Sequence, residues 1–311
     1  MNAWREDVQD YLALRRGLGF KLKHAEPKLL DFARFLNRHA AGRITVPLAL
    51  KWARGPSIGS LPRSAQRLSF ARGYARYRRA IDSRTEVPAV GLMPFRPQRA
   101  RPYLYTGIEI RRLLEAALQL SPGDALRRWT YHTLYGLLAV SGLRIGEALG
   151  LRRNDVDLKA GVLTIRGAKF DQSRLVPIHA STKQALLAFQ SRRNRHFFGR
   201  PTSDYFFVSI RGNHLDASEA RRTFYTLSRQ IGLRGATDSH GPRLHDFRHR
   251  FAVETLIRWY RTNVDPERRI QVLSTYLGHI HVADTYWYLT ACPALMGSVV
   301  KRLEDRWRSS L

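Results

Sequence analysis

Cysteine occurs once in these 311 residues, at Cys292. A single thiol forms no intrachain disulfide and builds no cysteine zinc site, and its rarity fits a reducing compartment. Long apolar runs are also missing, since no stretch reaches the roughly 18 residues that a membrane-spanning helix needs. The opening MNAWRED lacks the layout of a secretory signal, so the expected location is the cytoplasm. Acidic residues are scarce, 25 against 53 Lys and Arg. Paired carboxylates, a reactive thiol and a phosphate-cradling glycine loop all lack a candidate. No internal repeat or low-complexity tract interrupts the chain.

What is present is positive charge, a formal +28, on a chain that is 44% hydrophobic. That apolar share is enough for a buried core. Uncompensated positive charge repels itself in a compact state, so a polyanionic partner is expected, nucleic acid first. A membrane surface is the lesser choice, because no lipidation motif or basic amphipathic anchor accompanies the charge. Residues 1–104 hold 21 Lys and Arg against 7 Asp and Glu. This third of the chain carries half the net charge and is expected to touch the polyanion as well.

The pattern predicts two domains, mainly α with a small β-hairpin. Residues 1–90 read as a helical unit. Trp4, Val8, Tyr11 and Leu12 share one face, and Leu29, Phe32, Ala33 and Leu36 make a second stripe. Thr45 and Pro47 signal a short helix through Trp52. Over 62–82, Phe70, Tyr74, Tyr77 and Ile81 follow helical spacing, while Arg72, Arg76 and Arg79 line another face that can meet phosphates or water. Residues 91–104 read as a linker, rich in proline and carrying Arg96, Arg99 and Arg101. A capping box, Thr106 to Glu109, opens the domain expected over 105–311. Helices are predicted over 125–140, 144–151, 180–195, 216–231, 243–260 and 266–277, with an amphipathic C-terminal helix over 293–308. Strands are predicted over 162–166 and 174–178, joined by GAKFDQS. The run 205–209 fits a strand or a buried extended piece, which periodicity cannot separate.

Five basic side chains and one tyrosine stand out. Arg144 opens a helix, where a guanidinium and backbone N–H groups suit an anion, although Glu147 offers it a structural partner. His245 and Arg248 lie three residues apart on one helix and project together, with Phe247 and Phe251 as anchors; a core histidine beside a surface arginine is the plainer alternative. His279 follows Gly278 at a helix end. His281 raises a metal alternative, but no carboxylate or thiol completes a set, so no metal is expected. Lys169 sits at the predicted hairpin tip, with Lys159 as an ordinary turn residue nearby. Tyr288 stands nine residues past His279, with Tyr286 as a competing phenol.

In this arrangement the chain resembles the tyrosine recombinases, the phage integrase family. SGLRIGEALGL, around Arg144, is similar to the first arginine box. GAKFDQSRLVPI is similar to the hairpin lysine segment, with Arg174, Leu175, Val176 and Pro177 setting the register that selects Lys169. LHDFRHRFA is similar to the box holding His245 and Arg248, and LGHIHVADTYWY to the box running from His279 to Tyr288. The hairpin departs from the family in Ala168 and Phe170, where polar and glycine residues are usual. The four boxes keep the family's order over about 105–290.

The resemblance implies a site-specific recombinase that cleaves DNA without metal or cofactor. Tyr288 is the implied nucleophile, forming a 3′-phosphotyrosyl bond. Arg144 and Arg248 would hold the non-bridging oxygens, His245 would act as base, His279 would bond the phosphate and Lys169 would protonate the leaving 5′-oxygen. It further implies double-stranded DNA with paired sites as partner, a tetramer on DNA from free monomers or weak dimers, and accessory or co-acting recombinases. A core-binding N-terminal domain would close with the catalytic one around the duplex. Integration or excision of a mobile element is the expected role. A nicking-and-resealing type IB topoisomerase, and a silent basic DNA-binding protein, are the alternatives.

Overall fold

A computed structural model describes residues 3–55, 61–93, 102–120, 125–166, 173–238, 240–262, 264–290 and 297. It divides into two compact units, Met1–Ala100 and Arg101–Leu311.

The first unit is helical throughout its described elements: α1 (Ala3–Gly17), α2 (Ala25–Arg38), α3 (Val46–Ala53) and α4 (Leu61–Ile81). The two apolar stripes read from the sequence meet in its core, where Val8, Leu12, Leu29, Phe32 and Leu36 are buried with Trp52, Leu68 and Tyr74. Burying such large aromatic and aliphatic groups contributes about 1.5–3 kcal/mol each. The Thr45 hydroxyl accepts from the Leu48 N–H at 3.4 Å and caps α3, with Pro47 in its first turn. On α4 the buried line is Leu68, Ala71, Tyr74 and Ala75. Ile81, expected on the inner face, is 60% exposed because the helix ends there. Arg76 and Arg79 are exposed. Arg72 donates from Nε to the Pro88 carbonyl at 2.8 Å and from Nη2 to that of Ala89 at 3.0 Å. Arg96, Arg99 and Arg101 lie outside the described residues, as does most of the expected linker.

The second unit begins with α5 (Gly107–Leu118), opened by the predicted capping box: Glu109 N–H donates to Thr106 Oγ1 and Thr106 N–H to Glu109 Oε2. The next helix, α6 (Ala125–Ser141), packs against α5, α8 (Ala180–His196) and α10 (Asp246–Arg261). It therefore presents apolar side chains nearly all round, among them Tyr131, Leu134, Tyr135 and Leu138. After the short α7 (Ile145–Gly150) and a 3₁₀ turn come three antiparallel strands in the order β1-β2-β3: β1 (Val156–Asp157), β2 (Val162–Ile165) and β3 (Arg174–Pro177). Leu163 pairs with Val176 and Ile165 with Arg174. Leu163, Ile165 and Val176 are buried, the alternation expected of a half-buried sheet. The hairpin turn, residues 167–172, lies outside the described residues.

The run 205–209 is the buried extended piece rather than a strand. It makes only isolated bridges, Arg152 with Tyr205 and Val208 with His214, while Phe206 and Phe207 fill the core. The chain continues through α9 (Ala217–Gln230), α10, α11 (Pro266–Leu277) and α12 (Ala283–Thr290). The sequence reading contained neither β1 nor α12. The helix expected over 293–308 falls, apart from residue 297, outside the described residues. Among the described residues, no helix is long and apolar enough to cross a membrane.

Candidate active site

The α6–α7 corner places the first basic group. The Ser141 hydroxyl donates to the Leu137 carbonyl at 2.6 Å, and Gly142 then turns the chain at φ +62°. Arg144 is the extended N-cap of α7, and its own N–H donates to Glu147 Oε2 at 3.0 Å. Its guanidinium donates to Glu147 Oε1 at 2.8 Å and to the Gly278 carbonyl at 3.0 Å, with 39% of the side chain open to solvent.

Arg248 lies deeper. It is 1% exposed and donates to the carbonyls of Gly142 at 2.9 Å and Leu277 at 2.8 Å. Those carbonyls end α6 and α11, where the helix dipoles favour a cation. This burial reverses the plainer alternative, a core histidine beside a surface arginine. α10 begins only at Asp246, so His245 is its N-cap and exposed, while Arg248 turns inward beside Phe247. Asp246 fixes this entry by accepting from the Arg243 N–H at 2.8 Å and its guanidinium at 2.9 Å. Protein around the His245 imidazole, then the charges of Arg248, Arg243 and Arg144, hold its pKa below the ordinary value, against the opposing pull of Asp246.

His279 follows the predicted turn. Gly278 has φ +69°, its N–H donates to the Thr275 carbonyl, and the His279 N–H donates to that of Ser274. The His279 Nδ1 is 2.7 Å from Oγ1 of Thr285, a fully buried residue of α12. Burial first, then Arg248 and Arg144, push His279 down to about 4. A fifth group enters that sequence reasoning missed. His249 packs edge-on to His245, ring centroids 4.7 Å apart, and burial followed by the charges of its neighbours pushes it down to about 3.

The fold therefore brings Arg144, His245, Arg248 and His279 into mutual electrostatic reach: both guanidinium groups act on both imidazoles. Position 288 lies on α12 three residues, nearly one turn, beyond Thr285, and α12 packs on α10 and α11. Lys169 lies outside the described residues. Tyr286 is 48% exposed. Among the described residues, no group of three or more His, Cys, Asp and Glu could hold a metal ion.

Two more residues complete the scaffold. Glu147, read from the sequence only as a partner of Arg144, has a side chain only 9% exposed and also receives Arg174. Thr285 carried no signal beyond its spacing from His279, because its partner is known only once α12 forms.

A mostly helical domain with a three-stranded sheet that brings two arginines and two histidines within electrostatic reach of one another, one of them held to the helix that carries position 288, is the arrangement of an enzyme class that breaks and rejoins DNA. Residues 105–293 match the phage integrase family, and the chain belongs to that family. It is a tyrosine-type site-specific DNA recombinase. It is 56% identical over 310 residues to the integrase/recombinase y4rB of Sinorhizobium fredii, covering 99% of both chains. It is 30% identical to tyrosine recombinase XerC of Azotobacter vinelandii over 274 residues, 88% of this chain and 82% of that one. The fold is shared with a Tn1549 transposon integrase solved with transposon right end DNA (TM-score 0.65, 17% identity, 96% of this chain and 98% of that one). It is also shared with XerH bound to a palindromic difH substrate (TM-score 0.63, 19% identity, 90% and 76%).

Proposed function

We propose that the chain cleaves duplex DNA one strand at a time through Tyr288, in the integration or excision of a mobile element. The Tyr288 oxygen attacks the scissile phosphorus and gives its proton to His245. The bond from phosphorus to the 5′-oxygen breaks, and Lys169 protonates that oxygen. A 3′-phosphotyrosyl bond and a free 5′-hydroxyl remain. A 5′-hydroxyl of the partner strand reverses the step and restores the phosphodiester, so the bond energy is conserved and no nucleotide is consumed.

A phenol with a reference pKa near ~10 needs a base or a strongly positive setting to attack at neutral pH. His245, held low by its surroundings, is neutral there and can accept the proton. Charge building on the non-bridging oxygens would be met by Arg144 from the open side and Arg248 from below. His279, neutral and fixed through Nδ1 by Thr285, would bond the phosphate. The observation that carries this reading is that Arg144 and Arg248 both act on His245 and on His279, and that His279 is held to Thr285 of α12.

Residues 1–90 would bind DNA beside the catalytic domain over 105–311. Arg76 and Arg79 have exposed side chains suited to phosphates, joined by Arg72, Arg96, Arg99 and Arg101. Paired DNA sites would gather four copies of the chain, and accessory recombinases would act with them. The 56% identical relative bears the name integrase/recombinase, and the Tn1549 integrase of the same fold is held on transposon DNA. Both support the mobile-element role.

The test is covalent trapping on a nicked suicide substrate without added divalent metal. The wild type and Tyr286→Phe should form a protein–DNA adduct, and Tyr288→Phe none. An adduct that survives Tyr288→Phe would remove Tyr288 as nucleophile.

A further inference from the structure

Arg174 lies 27 residues beyond Glu147, on β3, beside the hairpin turn and paired with Ile165. On the sheet it shares the inward face of Val176, not the exposed face of Leu175. Its side chain is only 10% exposed and makes a bidentate pair with Glu147, Nη1 to Oε1 at 3.1 Å and Nη2 to Oε2 at 2.9 Å. Its Nε donates to the Tyr276 carbonyl at 2.8 Å.

The same two Glu147 oxygens take the Arg144 guanidinium and the Arg144 backbone N–H. Burial would raise Glu147, and the hydrogen bonds from Arg174 and then Arg144 outweigh it and hold the carboxyl below its usual range. Arg174 also packs against the backbone before His279. A Cβ on Gly278 would stand 2.6 Å from its Nη1. One guanidinium thus ties the hairpin, the start of α7 and the end of α11 together.

We infer that Arg174 is a positioning residue of the recombination site, aiming Arg144 at the scissile phosphate by holding Glu147 between the two guanidinium groups. The inference rests on the role given to Arg144 above. Lysine cannot replace the three-way fork, since an ammonium is a point charge without planar bidentate geometry. Misplacing a phosphate ligand by about 1 Å costs on the order of 10²-fold in rate.

The test compares Arg174→Lys, Glu147→Gln and the double variant in full-length protein. Adduct formation is timed on the suicide substrate, and DNA affinity and thermal unfolding are measured alongside. Arg174→Lys keeps a cation against Glu147, so it is the variant chosen to fold. Expected are wild-type DNA affinity, cleavage slower by about 10²-fold, and a double variant no slower than the slower single one, because both act through one carboxylate. A substrate with sulfur in place of the bridging 5′-oxygen, a leaving group that departs without a proton donor, should rescue Lys169→Ala and leave Arg174→Lys slow. Wild-type speed in Arg174→Lys, losses that multiply, affinity falling as far as rate, or rescue by sulfur would each overturn the inference while the function stands. A wild type that forms no adduct through Tyr288 would sink the function and the inference together.

Discussion

Arg144 and Arg248 are the same residue in opposite settings. Arg144 gives two of its five guanidinium N–H donors to Glu147 and Gly278 and stays 39% open. Arg248 is walled in by helix-end carbonyls. The open one is better placed to gain contact as charge builds on a phosphate. Arg144→Ala is therefore expected to keep DNA binding and slow adduct formation by about 10²–10³-fold, roughly 2.7–4 kcal/mol if losses of oxyanion-hole donors transfer here. Equal loss of binding and cleavage would demote Arg144 to a structural residue. Local chemistry raised Arg144, His245, Arg248 and His279 as candidates, and the resemblance to the tyrosine recombinases selected them. It passed over His249 and Thr285 and used Arg174 only to set the hairpin register. The partners of these three stand on other elements or, for His249, depend on where α10 begins.

At the scale of the element, the α6–α7 corner decides most. Gly142 has φ +62°, and a Cβ there would stand 2.7 Å from Cδ1 of Phe251 and 3.1 Å from Cδ2 of Leu277. Its carbonyl is also a ligand of Arg248. Gly142→Ala combines a left-handed backbone penalty with overpacking, each costing roughly 1–3 kcal/mol. Urea denaturation should show a loss of about 2–6 kcal/mol; a loss under about 1 kcal/mol would mean that Phe251 yields freely. Capping signals at Thr45 and Thr106 and the glycine turn at Gly278 were legible because their partners lie within a few residues. The eight-residue α12 was not. A helix that short is marginal alone, and it forms here against α10 and α11. The run 205–209 was ambiguous for a similar reason: one apolar pattern serves a strand or an extended buried segment, and only its neighbours choose.

For the whole molecule, imidazoles held below their ordinary pKa link stability to pH. His249 and His279 are pushed down to about 3 and about 4, and His245 is lowered as well. In the unfolded chain each takes up a proton near ~6.5. As pH falls below that value the unfolded state binds protons that the native state refuses, so native stability drops. It is fully present above ~6.5 and lost progressively as pH falls toward about 4 for His279 and about 3 for His249. Urea unfolding between pH 7 and pH 4.5 should show this loss, with a shallower slope in His249→Gln. An unchanged slope in that variant would show that His249 takes up its proton in the native state. The positive charge of the chain, +28, adds self-repulsion in the same direction as protons bind.

The resemblance to the tyrosine recombinases drew two arginines and two histidines into one candidate site, while composition and spacing by themselves determined that this chain is basic and mainly helical with one hairpin. These follow from periodicity and from contacts within a few residues, which a linear chain displays. Only the tertiary structure decided that Arg248 is buried while Arg144 is open, that Thr285 fixes His279, and that Glu147 is shared with Arg174 on the hairpin. Those pairings depend on where distant segments come to rest, and on which charges are driven out of water when they do.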